Sequence, residues 1–208
     1  MPNKRAIVIY DSKYGATEQV AHWIAEGLND AEMKRVADAT SVYYDLVVIG
    51  SPVYDEEPSQ KILHFLDRNK DALANKKIAI FTVSVPANMT PEKAKRFTGA
   101  NQLKKIAAHV KGEVIDSRAF LGRISTKEMT ALDRLSIHIQ YFLKGYKLGD
   151  VDFMNRDEAI AWGRKLINLI SQSGTTLTDE RRGRKPSDTS PRSTPVKGDG
   201  DRREDTKK

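Results

Sequence analysis

The residues best placed to do chemistry come early in the chain. Ser12-Lys13-Tyr14-Gly15-Ala16-Thr17 follow the apolar run Ile7-Val8-Ile9-Tyr10. An apolar stripe at helical spacing (Val20, Trp23, Ile24, Leu28) begins directly after them. A loop leading from a buried strand into a helix presents free backbone N–H groups and the positive end of the helix dipole, and both attract an anion. Ser12 and Thr17 add hydroxyl donors, Lys13 adds a positive charge, and Gly15 permits a close backbone turn. A phosphate suits this set. The competing reading is that Ser12 or Thr17 simply caps the helix.

Two further segments have the same character. "SPVYDEEP" (51–58) and "SVPANMT" (84–90) sit at the ends of apolar runs that read as buried strands. In an open parallel sheet, ligands bind beyond the carboxyl ends of the strands, where the strand order reverses. Ser51, Pro52, Val53 and Tyr54 would then face Ser12–Thr17, with Ser84, Val85 and Pro86 on the third side. Tyr54 supplies an aromatic face. Asp55, Glu56 and Glu57 bring carboxylates near it, and a solvated loop explains them equally well.

These loops need a frame, and the hydrophobic pattern predicts one. Strands are expected over 4–10, 32–36, 44–50, 76–85 and 114–121. Helices are expected over 17–28, after Pro58 (Ile62, Leu63, Phe65, Leu66), over 91–109 and over 156–170. Five strands alternating with helices argue an α/β three-layer sandwich, with a parallel sheet in the order 2-1-3-4-5. Residues 122–150 exceed an ordinary connection, which takes a few residues. There Met129, Leu132, Leu135, Ile139, Phe142 and Leu143 recur at three- and four-residue steps, so an extra helix is inserted before the last one. It either packs on the domain or serves as a lid, a dimer surface or a membrane-surface contact. The domain is expected to span 1–171, and 172–208, rich in charge, Ser, Thr, Pro and Gly, reads as a disordered tail.

Composition narrows the function. The chain has 208 residues, 39% of them hydrophobic, and no apolar run long enough for a membrane span or a secretory signal, so a cytoplasmic location is expected. There is no cysteine, and His22, His64, His109 and His138 form no ligand-spaced pair, so no metal site is expected. Between 171 and 208, ten Lys/Arg against seven Asp/Glu account for +3 of the net charge of +7. The remaining excess is modest, and without an aromatic-rich basic stripe no nucleic-acid partner is expected. The first loop has only Gly15, so it lacks the Gly-x-Gly-x-x-Gly of dinucleotide sites, and it has no Walker Gly-Lys-Ser/Thr. A phosphoacceptor receiver needs Asp where Gly50-Ser51 stand.

Ser-x-x-Gly-x-Thr, here Ser12, Gly15 and Thr17, resembles the phosphate loop of flavodoxins, with Tyr14 in place of a hydroxy amino acid. "GSPVY" (50–54) is similar to the flavodoxin segment that lines the isoalloxazine ring. The resemblance implies a flavodoxin-like fold with FMN as cofactor. Its phosphate would lie on Ser12–Thr17, its ring on Tyr54, and backbone near Pro52, Val53, Ser84, Val85 and Pro86 at its edge. The third loop, "VSVPAN", lacks the usual Gly and aromatic. That departure and the insert "FLGRISTKEMTALDRLSIHIQYFLKG" resemble the menaquinone-dependent protoporphyrinogen dehydrogenases of flavodoxin type.

The resemblance implies an FMN oxidoreductase acting on a small-molecule substrate, with a quinone acceptor and a peripheral membrane contact. Arg118, Arg123, Lys127 and Arg134 would meet substrate carboxylates by charge-assisted bonds, or are scattered surface cations. An electron carrier docking to a redox protein is the second reading, although such carriers are strongly acidic and this chain is basic. A non-redox interaction module is the third.

Overall fold

The computed structural model describes residues 6–40, 42–85, 90, 99–143, 145 and 149–172. Five parallel strands form the central sheet: β1 (Ala6–Tyr10), β2 (Glu32–Arg35), β3 (Leu46–Tyr54), β4 (Lys77–Ser84) and β5 (Glu113–Leu121). Their spatial order is β2-β1-β3-β4-β5, as the alternating pattern predicts. The longer helices are α1 (Ala16–Gly27), α2 (Gln60–Arg68), α3 (Ala100–Ala107), α4 (Ala131–Leu143) and α5 (Arg156–Gln172), and a single turn, Lys70–Leu73, follows α2. The expected helix 91–109 is described over α3, and 91–98 lie outside the described residues, as do 1–5 and the expected tail from 173 onward. No helix among the described residues is long and apolar enough to cross a membrane.

The central strands read as unbroken apolar runs because both faces of the sheet are covered. Val8, Val48, Ala79 and Phe81 point to one face and pack with Val20 and Ile24 of α1 and with Trp162 and Leu166 of α5. Ile7, Ile9, Val47, Ile49 and Ile80 point to the other and pack with Ile62 and Leu66 of α2 and with Leu103 and Ile106 of α3. Each buried Val, Ile, Leu or Phe among them contributes about 1.5–3 kcal/mol. Phe81, Phe120 and Trp162 meet edge to face, with ring centroids 5.8–6.3 Å apart. Trp162 Nε1 donates to Asp116 Oδ2 at 2.9 Å, and Lys165 Nζ reaches the same oxygen at 2.7 Å.

Helices α1 and α5 touch through their backbones. A Cβ on Gly27 would lie 2.3 Å from the Ile160 carbonyl oxygen, and one on Gly163 would lie 2.5 Å from that of Ile24. No side chain fits at either position. Gly27 is costly to helix propensity in the last turn of α1. The close crossing is the reason for it.

The insert behaves differently from a packed layer. Met129 is buried, but Leu132, Leu135, Ile139, Phe142 and Leu143 are exposed, Leu132 by 80% and Phe142 by 76%. The apolar stripe of α4 faces solvent instead of the domain.

Replacing Gly163 by Ala should destabilise the fold by about 1–3 kcal/mol, the usual range for forced overpacking. Urea denaturation of G163A against the native chain measures it.

Candidate functional site

The first loop closes on itself before α1 begins. Asp11 N donates to Gly50 O at 3.1 Å, so the chain is still registered against β3 one residue past β1. Gly15 N donates to Ser12 Oγ at 3.1 Å, and Arg35 Nη1 donates to Ser12 O at 3.0 Å. Ser12 and Thr17 are buried. Gly15 is the N-cap, at φ +81°, in the left-handed region that favours glycine. No side chain caps the helix. The capping reading of Ser12 and Thr17 therefore does not describe this loop, and the first-turn N–H groups of α1 remain a donor set for an anion.

The second segment is ordered differently from the expected loop. Strand β3 does not stop at 50 but runs on through Ser51, Pro52, Val53 and Tyr54, with Ser51 and Pro52 still paired to Thr82 and Val83. It then folds back in a hairpin, pairing Val53 with Pro58 and Tyr54 with Glu57. Asp55 (φ +49°) and Glu56 (φ +65°) form the two-residue turn. Such turns need positive φ at both positions and normally take Asn-Gly. That requirement is why the sequence "YDEEP" reads as a plain loop. Ser51 is fully buried: its Oγ–H donates to Pro52 O at 2.8 Å, and its Oγ accepts from Ser59 N at 2.9 Å. It positions the hairpin. Tyr54, 42% exposed, meets Tyr14 edge to face at 6.0 Å. Burial pushes the Tyr54 phenol up to about 12. Glu57 pairs with Lys105 of α3.

The third segment is bound to the root of the insert. Ser84 O accepts from Gly122 N at 3.0 Å. A Cβ on Gly122 would lie 2.9 Å from Val83 Cγ1, 3.6 Å from Val85 Cγ2 and 3.7 Å from Ala16 Cβ. Ala16, Val85 and the start of the insert thus converge. Pro86 lies outside the described residues.

Charge crosses between the loop and the insert. Lys13 Nζ donates to Asp133 Oδ1 at 2.7 Å and lies 5.1 Å from the centre of the Tyr14 ring. The hydrogen bond from Lys13, followed by that from Thr130, holds the Asp133 carboxyl down at about 2, and the same pairing raises Lys13. Thr130 caps α4: its Oγ1 accepts from Asp133 N at 3.2 Å and donates to Asp133 Oδ2 at 2.7 Å. In the other direction, Arg123 Nη2 lies 3.8 Å from where a Gly15 Cβ would be and donates to Glu128 Oε1 at 2.8 Å. Arg134 Nη2 reaches Met129 O at 3.4 Å. Arg118 stands apart, in mid-strand, paired with Glu158 of α5 and lying over the Phe120 ring.

Asp11, Ser12 and Lys13 form one wall of a cleft of about 630 Å³, with Tyr54 and Glu57–Lys61 on the other. It shares Ser12, Lys13 and Tyr54 with the residues singled out from sequence. Gly15, Ala16, Thr17, Ser84 and Val85 lie outside its lining. Asp11 and Ser59 were not legible as site residues. Ser59 Oγ donates to Asp11 Oδ2 at 2.7 Å and ties the cleft floor together. The only signal was the place of Asp11, directly after a buried strand.

The sequence profile of the Flavodoxin domain matches residues 7–147. No curated protein matches the chain. Among solved structures, a WrbA-like flavodoxin from Agrobacterium tumefaciens is 22% identical, with a TM-score of 0.48, covering 81% of this chain and 98% of its own. A flavoprotein in complex with FMN from Lactobacillus acidophilus NCFM is 21% identical (TM-score 0.42; 56% of this chain, 93% of its own). Megasphaera elsdenii flavodoxin is 20% identical (TM-score 0.43; 56% and 85%).

Because Asp133 is held below its ordinary value, its pairing with Lys13 is complete above about pH 4 and is lost as pH falls through about 2. In Lys13→Met, the Asp133 carboxyl should titrate higher than in the native chain but still below the ordinary ~3.9, because the Thr130 hydrogen bond remains. Side-chain carboxyl NMR measures the difference.

Proposed function

The chain belongs to the Flavodoxin domain family, and on that premise we propose that it is an FMN-dependent oxidoreductase. The observation that carries the reading is the loop itself: Gly15 at φ +81° opens α1 with no side-chain cap, so its donors face the space a phosphate would take. Ser12 and Thr17 stand as hydroxyl groups at that loop, and Tyr54 is the aromatic face for the ring system. Ser84 and Val85 offer backbone at its edge. FMN supplies hydride and electron transfer when bound, and the protein supplies position and electrostatics. With its phenol raised to about 12, Tyr54 stays neutral across physiological pH and brings no charge to a stacked ring.

The substrate class we propose is a porphyrinogen, with a quinone as electron acceptor, following the resemblance of the insert. Each turnover takes two electrons and two protons from the substrate and leaves the quinone as a quinol. Arg134, at the start of α4, is the candidate for the substrate's carboxylates. The exposed stripe of α4 supports the acceptor. Leu132, Leu135, Ile139, Phe142 and Leu143 share that helix with Arg134 and His138, and Lys144 and Lys147 follow in sequence. A helix with an apolar face and cationic flanks seats at an anionic lipid surface, which is where a lipophilic quinone is found.

Purified protein titrated with FMN should show bound-flavin absorbance. Gly15→Val should weaken FMN at least tenfold with an unchanged far-UV circular dichroism spectrum. A native chain that takes up no FMN overturns the reading. Anaerobic assay with protoporphyrinogen and menadione tests the substrate: bound FMN without quinone-dependent oxidation removes the porphyrinogen reading and leaves the flavoprotein one.

In flotation assays at low salt, the protein should rise with vesicles rich in phosphatidylglycerol and stay down with phosphatidylcholine alone. Leu135→Asp with Phe142→Asp should abolish the rise. No flotation, together with a concentration-dependent dimer, would assign the stripe to a second copy of the chain.

A further inference from the structure

Resting on the FMN reading above, we infer that Arg123 is a ligand of the cofactor phosphate, contributed to the loop by the insert. Its root is fixed. Arg123 and Ile124 pair with Val151 and Asp152 in a short antiparallel ladder, and Phe153 N donates to Gly122 O at 3.1 Å. Gly122 presses against Val83, Val85 and Ala16 so closely that any side chain there would strike Val83. This contact sets Arg123 beside the first turn of α1.

Its direction is set as well. Nη2 lies 3.8 Å from the Cβ position of Gly15, the N-cap of the helix whose free N–H groups would hold the phosphate. Glu128 takes Nη2 at 2.8 Å. Nε is buried and has no hydrogen-bond partner among the described residues. A buried donor without an acceptor is destabilising. A guanidinium carries five N–H donors in a planar fork that matches phosphate oxygens. A phosphate at the mouth of the loop gives that fork acceptors that the protein alone does not.

The loop's own cation does not take this role. Lys13 is held outward on Asp133, while the arginine of the insert is held inward over Gly15. Among the described residues, Arg123 Nη2 is the group that a Cβ at the N-cap would meet within 4 Å, and it makes the site selective for a phosphorylated flavin over the same ring without phosphate.

Flavin-fluorescence titration with FMN and with riboflavin, on the native chain and R123Q, tests this. Native protein should bind FMN more tightly than riboflavin. R123Q should lose about 10- to 100-fold in FMN affinity with riboflavin unchanged, the span expected for losing a charged hydrogen-bonding group. Raising salt should weaken FMN binding more in the native chain than in R123Q. An unchanged ratio of FMN to riboflavin affinity in R123Q overturns the inference while leaving the flavoprotein reading standing. Equal loss of both ligands in R123Q also overturns it, because the residue would then be structural. A native chain that binds neither flavin overturns the proposed function instead.

Discussion

Two glycines allow the backbones of α1 and α5 to touch, and the place of the first loop depends on that contact. Packed helices are ordinarily held 8–10 Å apart by the side chains between them. Here Gly27 and Gly163 remove that spacing, because a Cβ on either would run into a carbonyl oxygen of the other helix. Helix α5 is in turn seated on the sheet by Trp162, which meets Phe81 and Phe120 and donates to Asp116. The position of α1 is thus fixed twice, by its own packing of Val20 and Ile24 on the sheet and by its backbone contact with α5. Its N-terminus then falls beside Val85 and Gly122, where three chain segments meet.

That meeting point explains how an insert far along the chain becomes part of the loop. Gly122 admits the backbone, and the charges are then exchanged in both directions: Lys13 outward to Asp133, Arg123 inward over Gly15. Helix α4 is held at its first turn by Thr130 and by the Lys13–Asp133 pair. Beyond that turn its apolar side chains face solvent. Leaving five large apolar residues in water forgoes burial that would stabilise the fold. Exposed apolar stripes of this kind are the feature that commonly marks an interaction surface.

The hairpin after β3 shows a second local conflict. Asp55 and Glu56 both take left-handed backbone, which costs about 1–2 kcal/mol for each non-glycine residue. Ladder pairs on both sides and the chain of hydrogen bonds from Ser51 through Ser59 to Asp11 hold the turn in place. The result is a rigid support for Tyr54, set against Tyr14 of the first loop. Strain of this sort is retained where surrounding structure over-determines it, and functional sites are where it collects.

Much of this was legible in the sequence, for local reasons. Short unbroken apolar runs bounded by turn residues fit strands covered on both faces, and their alternation with helical stripes points to a parallel sheet and its order. Ser12, Gly15 and Thr17 pointed to an anion because a strand-loop-helix junction exposes its donors whatever surrounds it. Other features were invisible because they are contacts between distant segments. The extension of β3 to Tyr54 required pairing with Val83 and with Pro58. The stripe of α4 has the spacing of a packed helix, and periodicity does not say whether a face meets protein or water. Arg123 appeared as one cation among several. Both Arg123 and Arg118 pair with a carboxylate, and only the close approach of Gly122 to Ala16 and Val85 brings Arg123 to the N-cap. By itself, the sequence determined where the sheet strands and their covering helices lie and which loop invites an anion, since hydrophobic period and helix-end polarity are properties of the local chain. The tertiary structure alone decided that an arginine of the insert reaches the N-cap of α1, since this depends on Ala16 and Gly122, 106 positions apart, meeting where glycine lets them.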